Sequence, residues 1–143
     1  MIIVKVISIK EPFATLIMNG SKKIETRSWK TNYRGEIFIH ASRNSTKEMF
    51  NNNIWQNLSN NLDLNYGKII CKCNLVDCIY MDRQFIDTVK RDQLEYSLGI
   101  YEIGRYAWIL ENIEPIYPLP AKGKLNIWNF DGEYKLLNEK NIL

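Results

Sequence analysis

The segment GSKKIETRSWKTNYRG, residues 20–35, places cations, one carboxylate and two large aromatic side chains between two glycines. Lysine and arginine suit phosphate groups, aromatic rings offer stacking faces for bases, and a carboxylate accepts the exchangeable hydrogens of a base edge. A plain core strand needs none of these groups, so the combination favours a nucleic-acid or nucleotide site. The cations are Lys22, Lys23, Arg27, Lys30 and Arg34, the carboxylate is Glu25, and the aromatic residues are Trp29 and Tyr33.

The same segment predicts a strand that follows a short helix. Pro12 suits the first turn of a helix over residues 12–19, and Gly20 suits the residue that ends it. Alternation over residues 23–29 then places Glu25, Arg27 and Trp29 on one face of a strand. Lys22 lies at the bend between helix and strand, where alternation does not fix the direction of a side chain.

Further elements are predicted on both sides of this segment. Hydrophobic alternation indicates strands over residues 1–8, 36–41, 68–80 and 105–116, the last of them ended by prolines. Ser45 and Glu48 fit a capping box for one or two helices over residues 45–62. Asp82 fits the cap of a helix that runs to residue 90, followed by a second helical turn or a loop near 92–98. No structure is predicted for residues 131–143, and periodicity alone does not choose between a parallel α/β sheet and a small barrel.

The composition predicts a single domain over residues 1–143, because this length and 45% hydrophobic residues suit one buried core. No apolar run approaches a bilayer span and the start lacks signal-peptide character, so we expect a cytoplasmic protein without membrane contact. Cys71 and Cys73 fall on the apolar face of a strand and are expected to be buried thiols. His40 is expected to be structural rather than the base for Ser42, and neither a metal nor a cofactor is predicted.

Positive charge is concentrated in the first third of the chain. Residues 1–47 hold nine lysines and arginines against three acids, a net charge of +6, whereas residues 48–143 hold ten against thirteen, a net charge of −3. This asymmetry favours an anionic partner for the basic part of the chain. Lys5, Lys10 and Lys47 are better explained as solvated surface residues.

The spacing Gly20-x-Lys22-x-x-Glu25-x-Arg27 resembles the GxKxxExR motif of the ASCH domain, a branch of the PUA-like superfamily. Alone, this motif is a weak signal, since its residue types are common. Several other blocks resemble those of the family in the same order, which makes the resemblance specific. They are residues 8–14, 33–42, 67–77, 106–112 and 120–128, so that only segments near 43–66 and 80–104 fall outside the resemblance.

The resemblance implies an α+β fold, a PUA-like small β-barrel with helical insertions near residues 45–62 and 82–98. It also implies a cleft between the barrel and the first helix. The implied function is RNA binding, with structured or modified RNA, such as transfer RNA or a modified nucleoside, as the partner. The sequence predicts no oligomeric state.

The residues that we expect to bind RNA are those of the motif, its aromatic loop and a later basic turn. On the residues alone, Glu25 with its two cations is better explained as a surface ion pair, Trp29 fits a core position as well as a stacking one, and the later turn fits a solvated loop. The resemblance places the motif in the cleft of the family. The expected set is Lys22, Glu25, Arg27, Trp29, Lys30, Tyr33, Arg34, Lys122 and Lys124.

Two alternatives to a binding module follow from the resemblance. Some ASCH proteins are amidohydrolases that deacetylate acetylcytidine, and others have been described as ribonucleases; Lys22 and Glu25 would then be the catalytic candidates. The amidohydrolase pattern has threonine where this chain has Glu25 and a glutamate where it has Asn74, so that reaction is not expected here. The second alternative is a protein-interaction adaptor, for which the residues give no signal.

Overall fold

The computed structural model describes residues 2–45 and 62–138 as six strands and three short helices. In chain order these are β1 (Ile3–Glu11), α1 (Phe13–Met18), β2 (Ile24–Arg27), β3 (Gly35–Ser45), β4 (Lys68–Tyr80), α2 (Arg83–Val89), α3 (Gln93–Ser97), β5 (Tyr106–Pro120) and β6 (Ile127–Asp131). None of the helices in these ranges has the length and apolar character of a membrane span.

The strands form one mixed sheet in the order β2-β5-β4-β3-β1-β6. Only β1 and β3 pair in parallel, and every other neighbouring pair is antiparallel. A doubly wound parallel sheet is thereby excluded. Strands β2 and β6 lie at opposite edges, and no ladder joins them within the described ranges. The sheet is therefore open, and the predicted closure into a small barrel is not confirmed.

The main core lies between α1 and one face of the sheet. Residues 13–17 of α1 are all buried, and Leu16 and Ile17 pack into a cluster with the inward side chains of β1, β3, β4 and β5. Removing side chains of this size from water contributes about 1.5–3 kcal/mol each. Cys71 and Cys73 belong to the same cluster, and burial raises the pKa of the Cys73 thiol to about 12. Both are buried thiols, as the sequence predicted.

The opposite face of the sheet carries a smaller cluster built around Val6, Phe38, Ile116 and Trp128. Trp128 reaches it from β6, a strand that the sequence did not predict. This strand pairs antiparallel with β1 between Ile3–Ile7 and Ile127–Asp131. The smaller cluster therefore fixes the start and the end of the described chain together.

Strand β5 is longer than predicted, because it continues through Pro115 and Pro118 to Pro120. Proline lacks the N–H that a regular ladder requires, so it was expected to end the strand. The register with β4 instead shifts between the pairs Ile69–Leu119 and Cys71–Pro115. This bulge leaves residues 116–118 of β5 without register partners on β4, so Pro118 needs no ladder N–H there, whereas Pro115 and Pro120 keep Cys71 and Lys68 as partners.

The remaining elements follow local signals. Gly20 has φ +87° at the end of α1, a conformation that glycine adopts without strain. The carboxylates of Asp82 and Asp92 accept the backbone N–H groups of Phe85 and Glu95 at 2.8 and 3.1 Å, and so cap α2 and α3. Strand β3 extends to Ser45, and residues 46–61 of the helical segment predicted over residues 45–62 lie outside the described residues.

Candidate nucleic-acid interface

A cavity of about 400 Å³ lies between the ends of β1 and β2 and the segments near residues 98–100 and 124–126. We call it the Arg27 cavity. Strand β2 presents Glu25 and Arg27 to it, and Trp29, beyond the end of the strand, also lines it. Its lining consists of Ser8, Ile9, Lys10, Phe13, Glu25, Thr26, Arg27, Ser28, Trp29, Ser42, Leu98, Gly99, Ile100, Arg105, Lys124, Leu125 and Asn126.

Glu25 and Arg27 form an ion pair at the wall of this cavity. The distance from Glu25 Oε2 to Arg27 Nη2 is 3.1 Å, and the same nitrogen donates to the carbonyl of Ser8 at 2.7 Å. Glu25 Oε1 also accepts the backbone N–H of Thr26 at 3.2 Å. The guanidinium is partly exposed while the carboxylate is nearly buried. The pair therefore presents a fixed donor and a fixed acceptor side by side.

Lys22 lies behind this pair and not on its surface, since it is only 1% exposed and is absent from the cavity lining. Its ammonium donates to the carbonyls of Ile24 and Leu98, both at 2.5 Å, and lies 3.9 Å from Glu25 Oε1. Burial lowers the pKa of Lys22, against the opposing charges of Glu25 and Glu95. A direct contact between Lys22 and a phosphate remains a prediction. The observed contacts place the Lys22 ammonium behind Glu25, where it supports the position of that carboxylate.

Trp29 combines the two roles that the sequence left open. Its ring packs edge-on against that of Trp108 with centroids 4.8 Å apart, and its carbonyl accepts Trp108 Nε1–H at 3.4 Å. It is nevertheless only half-buried and lines the Arg27 cavity. The indole is thus held by the core while part of its surface faces the cavity.

A second cavity, of about 790 Å³, adjoins the first. We call it the Lys122 cavity. The two cavities share Ser8, Ser42, Lys124 and Leu125. The lining of the second consists of Ser8, His40, Ser42, Arg43, Asn44, Gly67, Pro120, Ala121, Lys122, Gly123, Lys124 and Leu125.

His40 lies at the base of the Lys122 cavity in a satisfied hydrogen-bond chain. Its Nε2 donates to the carbonyl of Ala121 at 2.8 Å, because a carbonyl accepts only. In that tautomer its Nδ1 accepts the hydroxyl of Ser8 at 3.0 Å, and Ser8 Oγ accepts Trp128 Nε1–H at 3.2 Å. Both ring nitrogens of the histidine are thus hydrogen-bonded, and its serine partner is Ser8 rather than Ser42.

The buried position of His40 predicts a pH-dependent stability. Burial lowers its pKa from the usual 6.5, with Arg43 acting in the same direction and the bond to Ala121 opposing it. The unfolded chain therefore binds the proton more readily, and the fold loses stability as pH falls below about 6.5. In urea unfolding from about pH 7.5 to 5.5, His40→Gln should lose less stability over this interval than the unchanged chain. Parallel pH profiles would contradict this assignment.

The structure separates the residues predicted to bind RNA. Glu25, Arg27, Trp29, Lys122 and Lys124 line the two cavities, and Lys22 is buried behind them. Lys30, Tyr33 and Arg34 line neither cavity.

The last three residues have surroundings of their own. The Tyr33 hydroxyl donates to the carbonyl of Glu36. Arg34 donates to the carbonyls of Thr31 and Tyr33 at 3.0 and 2.8 Å and lies 3.7 Å from Asp77. Lys30 is exposed. Their contact with RNA stays a prediction, without support from the cavity geometry.

Sequence reasoning missed three cations and one acid. Lys10, Arg43 and Arg105 line the cavities, although Lys10 was assigned to solvated surface and the other two were not singled out. The basic excess of residues 1–47 was the available signal for the first two. Glu95 is 6% exposed, accepts the backbone N–H of Lys23 at 2.8 Å, and has its pKa raised by burial. No local pattern marks this buried acid.

Comparisons with known proteins agree with this architecture. A family model described as the ASCH domain matches residues 7–120. The chain is 26% identical to activating signal cointegrator 1 of Mus musculus and of Homo sapiens over 96% of its own length, and spans 24% of theirs. A crystal structure of ASCH from Zymomonas mobilis has a TM-score of 0.52 at 22% identity, over 81% of this chain and 72% of that one. A serine-to-alanine variant of that bacterial protein has a TM-score of 0.51 at 20% identity, with the same coverage.

Proposed function

Since the chain belongs to the ASCH domain family, we propose that it is an RNA-binding module whose contact surface is formed by the Arg27 and Lys122 cavities. The observation that carries the proposal is the charge of their combined lining. Six of the described lining residues are cationic, and the one acid, Glu25, is paired with Arg27. The cations are Lys10, Arg27, Arg43, Arg105, Lys122 and Lys124.

The two cavities suit different parts of a nucleotide chain. The Lys122 cavity has Arg43, Lys122 and Lys124 on its lining and no acid among the described residues, which suits phosphates. The Arg27 cavity offers part of the Trp29 ring for stacking and the Glu25–Arg27 pair for a base edge. Its volume of about 400 Å³ lies within the usual range for small-ligand pockets. Because the two cavities share a boundary, a single RNA strand can occupy both cavities.

We extend the proposal to structured or modified RNA as the partner and to the cytoplasm as the site of action. Single-stranded loops and unstacked bases expose the edges and faces that such a cavity reads, whereas a regular A-form duplex hides them in its narrow groove. Transfer RNA and modified nucleosides therefore remain the partners to test first. The family assignment supports this choice of RNA partners. The cations, the Trp29 ring and the Glu25–Arg27 pair of the cavity linings are the groups that would bind them.

Salt dependence tests whether phosphates carry the binding. Fluorescence anisotropy with a labelled single-stranded RNA should give an affinity whose logarithm falls linearly with the logarithm of salt, with a slope of about −0.7 for each phosphate contacted. Four contacts would give a slope of about −2.8 by the same rule. A matched RNA hairpin with an unpaired loop tests the preference for accessible bases. An affinity that is independent of salt would contradict the proposal.

Hydrolysis of acetylcytidine is not expected. The Lys22 ammonium is occupied by two backbone carbonyls, and Glu25 is held by Arg27, so neither is placed to activate a nucleophile. Asn74 pairs in register with Glu36 and Glu111 and lines neither cavity. Purified protein incubated with acetylcytidine should release cytidine no faster than its Glu25→Gln variant. Faster release would establish the hydrolase alternative.

A further inference from the structure

The loop over residues 121–126 is fixed at both ends. Ala121 donates its N–H to the carbonyl of Gly67 at 3.1 Å, and its own carbonyl accepts from His40 Nε2 at 2.8 Å. Asn126 has φ +60°, a left-handed conformation that turns the chain into β6. The loop backbone is thus held against β3 on one side and by the start of β6 on the other.

The centre of the loop also packs closely on the fold. A Cβ at Gly123 would lie 2.8 Å from His40 Cε1 and 3.0 Å from Ser8 Oγ, so only glycine lets the backbone approach this far. The next residue, Lys124, places its ammonium 5.9 Å from the centroid of the Trp128 ring. These contacts leave little freedom in the position of the loop tip.

Leu125 stands at this tip and is 88% exposed, more than any other large hydrophobic residue in the described part of the chain. A single exposed leucine is ordinary on a protein surface. This one differs in position, because it lines both cavities and follows directly after Lys124. An apolar side chain is therefore exposed to water at the boundary between the Lys122 cavity, which suits phosphates, and the Arg27 cavity, which suits a base.

We propose that Leu125 is a wedge that inserts between neighbouring bases of a bound RNA and directs the unstacked base into the Arg27 cavity. The inference rests on the proposed RNA-binding function. Proteins that separate base steps insert apolar side chains while flanking cations hold the phosphates. Here Lys122 and Lys124 flank the tip, and Trp29 and the Glu25–Arg27 pair lie in the cavity beside it. Because the loop is already fixed before binding, RNA binding costs little conformational entropy in the loop.

A fluorescent base reports the proposed step. The RNA contains 2-aminopurine next to the unpaired base that enters the Arg27 cavity, and its emission rises when this stacking neighbour leaves. Binding of the unchanged protein should raise the emission. Leu125→Ala should retain salt-sensitive binding, lose this rise, and weaken affinity by about tenfold, the effect of losing part of one buried leucine contact. Leu125→Met should keep the rise, because an unbranched apolar side chain of similar length can still insert.

Leu137→Ala is the matched control, since Leu137 is 46% exposed and lies outside both cavities. A rise that persists in Leu125→Ala would overturn the wedge and leave RNA binding intact. Absence of RNA binding by the unchanged protein would overturn both proposals. The last arm of the experiment measures association of the protein with vesicles that contain anionic lipid. If Leu125→Ala abolishes that association and leaves the fluorescence response to RNA unchanged, the loop tip binds a membrane surface and the wedge is overturned.

Discussion

Replacement of Lys22 by methionine is expected to lower the free energy of unfolding by about 2–6 kcal/mol, because two carbonyl groups lose their buried donor and each unsatisfied buried group costs about 1–3 kcal/mol. Methionine retains an aliphatic stem but donates no hydrogen bond. The carbonyls of Ile24 and Leu98 would then lose the ammonium that now lies 2.5 Å from each of them. Glu25 would keep Arg27 but lose its second cation.

Lys23→Met is the matched control for this measurement. Lys23 is adjacent in sequence, carries the same side chain and is exposed, so its replacement should change stability by less than about 0.5 kcal/mol. Both variants are compared in urea unfolding, with the dependence on denaturant fitted to equal slopes. Equal stability of the two variants would show that the buried ammonium does not support the fold.

Local signals in the sequence placed most elements correctly. Strand β4 has the predicted ends, Lys68 and Tyr80, because a run rich in apolar and β-favouring residues follows Gly67. Gly20 ends α1 and Asp82 caps α2, since each effect depends on a few neighbouring residues. At these positions, interactions between residues close in sequence were sufficient to predict where the elements begin and end.

The arrangement of the sheet could not be read from such signals. Whether β2 and β6 meet depends on the twist and register of four intervening strands, and the sequence alone did not determine either. The continuation of β5 past Pro115 depends on a bulge opposite Ile69–Cys71, which is a property of the pair of strands. Strand β6 is stabilised by pairing with β1, more than a hundred residues earlier in the sequence.

In the candidate site, too, local pattern predicted some side chains, whereas others depend on contacts between distant segments. Alternation assigned Glu25 and Arg27 to one face because both lie within a regular strand. It could not orient Lys22 at the bend, whose ammonium reaches the carbonyl of Leu98, 76 residues later. Glu95 accepts from the backbone of Lys23 across 72 residues and was missed for the same reason. Contacts between distant segments therefore determined which predicted cations face the cavities.

The position of charge, rather than its total, should determine RNA affinity. The double variant Lys122→Glu/Lys124→Glu reverses both lysines of the Lys122 cavity. Loss of two phosphate contacts should reduce the salt slope by about 1.4 for single-stranded RNA and weaken binding at 0.1 M salt by about 30-fold, with further weakening from the added carboxylates. Anisotropy titrations at several salt concentrations measure both quantities.

The matched control is Lys23→Glu/Lys30→Glu, which changes the net charge by the same amount at two exposed lysines outside both cavities. The two exposed lysines line neither cavity, and salt at 0.1 M, where the Debye length is about 10 Å, weakens repulsion from exposed charges, so this variant should lose only a few-fold in affinity and keep its salt slope. Lys30 was expected from the sequence to contact RNA, as Lys122 and Lys124 were, but it lies outside both cavities, so the two variants compare predicted contacts inside and outside the cavities. An equal loss of affinity in both would show that RNA responds to net charge alone, and a larger loss in the control would place the binding surface on the 30–34 loop.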